Sequence, residues 1–234
     1  MRDKSKVVIT KNGPYVVFGS LPLDKQTIIP DEDGVPYKYK QGEKFPKQET
    51  YLLCRCGKSK NKPYCDQTHL KIGFKAKETA SKEKYLNQAE MLEGPDLDLS
   101  DAASLCASAS FCDRAGGTWQ LTKNSNNAKS KKLAVEQCAN CPSGRLVAWD
   151  KKTGKAIEPK FEKSISIIED AASNTSGPVW VKGGVQIEED DGEKLEIRNR
   201  VTLCRCGKSK NKPYCDGSHI EVDFNDGDES LKTA

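Results

Sequence analysis

Residues 204–219 read CRCGKSKNKPYCDGSH, and residues 54–69 read CRCGKSKNKPYCDQTH. Only two of the sixteen positions differ: Gln67 stands for Gly217 and Thr68 for Ser218. Identity over that length within one chain marks an internal duplication. The likeness weakens outward but persists. Leu70, Ile72 and Phe74 after the first copy correspond to Ile220, Val222 and Phe224 after the second. Upstream, GPYVVFGSLPL (13–23) echoes GPVWVKGGVQI (177–187), with 14 more residues before the cysteines in the first copy. These segments are rich in β-branched residues, as strands are. Each repeat is therefore expected to run strand, loop, strand, cysteine loop, short apolar strand.

Within one repeat, Cys54 and Cys56 flank a single residue, a spacing that in extended backbone turns both sulfurs to one side. Cys65 and His69 stand four apart, which on a helical turn places them on one face. Asp66 suits the start of such a turn. The second copy supplies Cys204, Cys206, Cys215 and His219, with Asp216 and Ser218 in the places of Asp66 and Thr68. His69 and His219 are the only two histidines in the chain and fall at the same place in both copies. Three cysteines and a histidine are a legitimate zinc set, although zinc sites usually space the first cysteine pair by two to four residues. Two ligand pairs also suit a binuclear iron centre with histidine on one iron. Spacing alone leaves both open.

Composition narrows the class. Of 234 residues, 35% are hydrophobic and 31% charged, with a net charge of +4, too mild to point to nucleic acid. The ten cysteines are too sparse for a disulfide scaffold. No apolar run has signal-peptide or membrane-span length, so reduced thiols, metal binding and a cytoplasmic location are expected, with no membrane partner. Arg55, Lys58, Lys60 and Lys62 and their counterparts read as a solvated loop surface or as charges offsetting thiolate-bound iron.

The string at 204–219 closely resembles the CDGSH iron–sulfur motif of the NEET proteins, and the first copy resembles it with CDQTH in place of CDGSH. The resemblance implies a [2Fe–2S] cluster in each repeat. Cys54 and Cys56, or Cys204 and Cys206, would hold the buried iron. Cys65 and His69, or Cys215 and His219, would hold the more exposed one. Asp66, Thr68, Asp216 and Ser218 would support them. Gln67 is not expected to adopt the positive φ open to glycine, so the first centre is expected to differ from the second in potential or lability.

Four cysteines lie between the repeats: Cys106, Cys112, Cys138 and Cys141. KLAVEQCANCPSGRLVAWD reads as a helix up to its cysteines, then a turn at Pro142–Gly144 and a strand around Leu146 and Val147, while Trp119 and Leu121 suggest another strand. CPSG followed by leucine, together with the Cys106–Cys112 spacing, resembles the divergent ferredoxin-like single-cluster family, which implies a [4Fe–4S] cluster on these four. Zinc on four thiolates, or merely buried thiols, are the alternatives.

The expected fold is α+β and mainly β: a duplicated NEET-like unit forming an intrachain pseudo-dimer, with a ferredoxin-like α+β module inserted. The expected divisions are a first repeat (1–76), a helical linker (77–95), the four-cysteine module (96–150), a linker (151–176), the second repeat (177–224) and a disordered tail (225–234). Residues 24–49 read as a long surface loop, and 77–92 as a solvated helix. A homodimer pairing equivalent repeats is the alternative assembly. The expected function is one-electron transfer with an unidentified redox partner. The alternatives are cluster donation to an apo-protein or redox sensing, and structural zinc in the middle site. No nucleophile–base pair, phosphate loop or paired carboxylates point to an enzyme.

Overall fold

The β-branched runs of the first repeat do form strands, because alternate residues meet a core on one side and water on the other. The computed structural model describes residues 5–231. The first repeat holds β1 (Lys6–Ile9), β2 (Tyr15–Phe18), β3 (Leu23–Pro30), β4 (Pro36–Lys44) and β5 (Thr50–Leu53), then a one-turn helix α1 (Thr68–Lys71). The middle holds α2 (Tyr85–Gln88), β6 (Glu90–Glu93), β7 (Leu97–Asp101), α3 (Thr118–Lys123), α4 (Ala128–Asn140), β8 (Leu146–Asp150) and β9 (Ala156–Ile157). The second repeat holds β10 (Ser164–Asp170), β11 (Thr175–Lys182), β12 (Gln186–Glu189), β13 (Arg200–Leu203) and the one-turn α5 (Ser218–Glu221).

The strands make three sheets, ordered β12-β1-β2-β5, β13-β11-β10-β3-β4 and β6-β7-β8-β9. Matched by position relative to the cysteines, the first two share one plan. β5 and β13 lead into the cysteine loops, β2 and β11 lie beside them, and β1 and β10 come next. The outer place in each is taken by a strand of the other repeat. β12 pairs parallel with β1, Ile187 opposite Val7, and β3 pairs parallel with β10, Leu23 opposite Ile165. The exchange buries one shared core, in which Val7, Tyr15 and Val17 pack with Ile165, Val179 and Ile187. Each such aliphatic side chain contributes roughly 1.5–3 kcal/mol by leaving water.

Several sequence expectations fail here for identifiable reasons. The stretch 151–176 is no linker. It contains β10, buried from Ile165 to Asp170, which is the second repeat's counterpart of β1. Residues 24–49 are not a surface loop but a β3–β4 hairpin turned at Asp31–Gly34, whose outer strand is lysine-bearing and mostly exposed, as an unpaired edge requires. The helix expected over 77–92 shrinks to α2, because Tyr85 is drawn into the interior, where its hydroxyl donates to the Arg145 carbonyl at 2.8 Å; Glu90–Glu93 becomes an edge strand instead. Trp119 and Leu121 lie on helix α3, whose buried Thr118, Leu121 and Thr122 follow the i, i+3, i+4 spacing. The strand expected after each cysteine loop is the single helical turn α1 or α5. The tail expected to be disordered is packed over 225–231, with Asp226 paired to Arg205, Asp228 to Lys25 and Leu231 buried; residues 232–234 lie outside the described residues.

The reading of 132–150 as helix, turn and strand stands. Asn127 caps α4 by accepting from the backbone N–H of Lys129 and Ser130 at 2.9 and 3.1 Å, and Cys141–Pro142 ends the helix before β8 begins. Helices α3 and α4 cover one face of the third sheet through Leu97, Leu121 and Ala134. Among the described residues, no helix is long and apolar enough to cross a membrane.

Candidate metal centres

Each cysteine loop returns to the strand that launches it. The Cys54 N–H donates to the Pro63 carbonyl at 2.8 Å and the Cys65 N–H to the Leu52 carbonyl at 2.9 Å. Cys204 and Cys215 repeat this with Pro213 and Thr202, each at 2.9 Å. This folding-back presents two donor pairs per loop. The Cys54 and Cys56 sulfurs lie 3.8 Å apart, and the Cys65 sulfur lies 3.4 Å from His69 Nδ1. In the second loop the distances are 3.8 Å for Cys204–Cys206 and 3.5 Å for Cys215–His219.

Asp66 and Asp216 pin the histidine turn to the loop. Asp66 accepts from the backbone N–H of Lys60 at 2.8 Å and of Thr68 at 2.9 Å. Asp216 accepts from the Lys210 N–H at 2.7 Å, the Ser218 N–H at 3.0 Å and the Ser218 hydroxyl at 2.7 Å. The Lys60 N–H, followed by Thr68, holds the Asp66 carboxyl well below the usual carboxylate range. The Cys54 thiol is drawn down to about 6, first by the Cys56 sulfur and then, against burial, by backbone N–H groups of Ser59 and Gly57. A thiol so placed is ready to bind metal as thiolate.

The spread of the donors bears on which metal fits. Among the described residues, the groups of three or more His, Cys, Asp or Glu donor atoms within 4.8 Å of one another are two carboxylate clusters, Glu169–Asp226–Asp228 and Glu189–Asp191–Glu193. The donors of each loop are thus close within a pair and apart between pairs. A single tetrahedral zinc, with zinc–sulfur bonds of about 2.3 Å, draws all four donors to within about 4 Å of each other. Two separated pairs suit two irons, and the residues present fit a [2Fe–2S] group.

The two sites are not equivalent. Cys65 and His69 are half-buried, whereas Cys215 and His219 are each 3% exposed. The expectation that Cys215 and His219 form the exposed side is therefore wrong for the second copy. The inserted module covers it: a Cβ at Gly217 (φ +85) would meet Ser108 Oγ at 2.1 Å, and Asn211 donates to the Ser104 carbonyl at 2.7 Å. Burial, then Arg205, pushes His219 down to about 4. In the first copy Gln67, which is exposed, does take the left-handed conformation, φ +67, contrary to expectation. The cost of that conformation is roughly 1–2 kcal/mol.

The loops also meet back to back. A Cβ at Gly57 would lie 2.5 Å from the Cys206 carbonyl oxygen, and one at Gly207 would lie 2.7 Å from that of Cys56. Tyr15 of the first repeat reaches across to donate its hydroxyl to the Cys204 carbonyl at 2.8 Å. Arg55 and Arg205, expected on the loop surface, are each 1% exposed. Arg55 pairs with Glu78; Arg205 pairs with Asp226 and, at 2.7 Å, with the buried Glu169. Lys58 and Lys60 do remain exposed. Spacing and composition carry no sign of the roles of Gly57, Gly207 and Tyr15, although a tyrosine aligned with valine in the GPYVV/GPVWV echo marks a departure from symmetry.

The four middle cysteines converge as the spacing suggested. Cys112, Cys138 and Cys141 pack together against Leu99 and Leu146, and Cys106 joins Cys112 and Cys141 in lining a small cavity with Arg145. Burial, and then Asp113, pushes the Cys112 thiol up to about 12. No three of these sulfurs fall within 4.8 Å of one another either, so the set fits a multi-iron group better than one zinc. Arg200, 2% exposed, donates to the carbonyls of Cys138 at 2.8 Å and Cys141 at 2.7 Å.

Fold and sites together define an iron–sulfur-binding protein. The family described as iron-binding zinc finger, CDGSH type, matches residues 12–70 and 176–220, and that described as divergent 4Fe-4S mono-cluster matches residues 92–151. The chain thus carries two CDGSH segments flanking a divergent 4Fe-4S mono-cluster module. It is similar to a CDGSH iron-sulfur domain-containing protein 2 homolog of Drosophila mojavensis, 56% identical over 32 residues, which is 14% of this chain and 24% of that protein. Its likeness to a Drosophila melanogaster CDGSH iron-sulfur domain protein is 52% over 33 residues, 14% of this chain and 25% of that one. The chain therefore spans about a quarter of the length of the curated relatives it matches. No solved structure matches it.

Proposed function

We propose that this chain is a one-electron carrier. In this reading Cys54, Cys56, Cys65 and His69 hold one [2Fe–2S] cluster, and Cys204, Cys206, Cys215 and His219 hold another. Cys106, Cys112, Cys138 and Cys141 hold a [4Fe–4S] cluster. The clusters supply reversible one-electron chemistry; the chain supplies the thiolates, the buried arginines and the exclusion of water. The exchange of β3 and β12 makes the two repeats an intrachain pseudo-dimer. The observation that carries the reading is the close approach of the two loops at Gly57 and Gly207, where an added Cβ would lie 2.5 Å from the Cys206 carbonyl oxygen or 2.7 Å from that of Cys56. A carrier working where thiols stay reduced, exchanging electrons with a protein partner, follows.

The half-buried Cys65–His69 pair favours a second reading, donation of the first cluster to an apo-protein. One experiment separates the two. The purified protein is cycled between reduced and oxidised states in the presence of an apo-ferredoxin. Intact cycling with no iron or sulfide passed supports the carrier; loss of the first centre's signal to the acceptor overturns it.

A further inference from the structure

Three contacts among the described residues join the inserted module to the second CDGSH site. Ser108, in a left-handed turn (φ +55), places its hydroxyl where a side chain on Gly217 would start. Ser104 accepts from Asn211 of the second loop. Arg200, on the strand that runs straight into Cys204, clasps the carbonyls of Cys138 and Cys141 while Glu158 neutralises it. At the first site the equivalent of Gly217 is Gln67, which is exposed, and Cys65 and His69 remain half-open.

We propose that Ser108, Gly217 and Arg200 are positioning residues that form an electron junction between the four-cysteine site and the second CDGSH site alone, so that electrons pass between the middle site and the first only by way of the second. With clusters held by Cys106, Cys112, Cys138 and Cys141 and by Cys204, Cys206, Cys215 and His219, a single electron would pass from the first set to the second, oxidising one and reducing the other with no bond made or broken. A one-electron reductant of the ferredoxin class, or dithionite in the laboratory, supplies it. The single departure between the two sixteen-residue strings that removes a glycine is then a wiring choice: glycine where the module docks, glutamine where the loop faces outward.

This inference rests on the proposal that all three sites hold clusters, and the test separates the two. Fully dithionite-reduced protein is studied by electron paramagnetic resonance, with His69→Cys and His219→Cys used only to shift and so label the first and second [2Fe–2S] signals. The four-cysteine signal is expected to show magnetic coupling to the signal labelled by His219→Cys. Coupling to the His69→Cys-labelled signal instead, or three intact signals with no coupling, overturns the junction and spares the cluster assignment. A four-cysteine site that contains zinc overturns both. Gly217→Gln, which copies the first loop, should abolish the coupling while Gln67→Gly leaves it unchanged. Should Gly217→Gln fail to load iron, Ser108→Gly and Arg200→Met repeat the test without adding bulk to the loop. Coupling unaltered in both would refute the positioning role.

Discussion

Adding one methyl group at Gly57 should damage the site 150 positions further along the chain as much as its own. The Gly57→Ala change carries two costs. Its φ of +73 lies in the left-handed region, which penalises an alanine by roughly 1–2 kcal/mol. The new Cβ lies 2.5 Å from the Cys206 carbonyl oxygen and 2.9 Å from its carbon, so the second loop must retreat by about 1 Å to restore ordinary contact. Overpacking of that kind costs about 1–3 kcal/mol, and here it falls on backbone bearing a ligand. Gly73 supplies the control. Its φ of +59 exacts the same backbone penalty, but a Cβ there meets nothing within 4 Å. Iron content and the lifetime of each resolved [2Fe–2S] signal in air are the assay. Gly57→Ala should shorten both lifetimes, Gly207→Ala should do likewise, and Gly73→Ala should leave the second signal untouched. Loss of the first signal with the second unchanged would refute the back-to-back arrangement.

Other outcomes follow from the same contacts. On acidification the first centre should be lost before the second, because Cys65 and His69 are half-buried and open to solvent protons whereas Cys215 and His219 are each 3% exposed. The reverse order of bleaching would contradict the burial asymmetry. Glu169 is raised to about 7, chiefly by burial, and one of its carboxylate oxygens has no partner. The stability linked to its protonated form is complete below about pH 4.5 and lost as pH rises through about 7, a change of roughly 3 kcal/mol, and Glu169→Gln should flatten the melting temperature over that range. Tyr15→Phe should lower the denaturation midpoint by an amount equivalent to about 1–3 kcal/mol, by orphaning the buried Cys204 carbonyl, and an unchanged midpoint would show that bond to be dispensable.

The sites were far more legible than the fold around them. Ligand chemistry is written in residue identity and short spacing, so Cys54, Cys56, Cys65 and His69 and their counterparts could be picked out by inspection, and the structure brings Cys54 to Cys56, Cys65 to His69, Cys204 to Cys206 and Cys215 to His219. Strand exchange depends on pairing between segments some 180 residues apart, such as Lys6 with Gln186, and no local pattern announces it. β10 escaped notice because only its place in the sheet, not its sequence, matches β1. The helix expected at 77–92 failed because a single buried tyrosine outweighed weak local propensity. The unequal exposure of the two histidines lay outside any reading of the repeats themselves, since it is imposed by Ser108 from the inserted module.

Three clusters on one chain should be visible in its metal content. Iron, acid-labile sulfide and zinc are measured per chain in anaerobically purified protein. The ligand sets predict about eight irons, about eight sulfides and no stoichiometric zinc, from two [2Fe–2S] and one [4Fe–4S] centre. About four irons with one zinc would contradict the middle cluster, and three zincs with no sulfide would contradict the account as a whole.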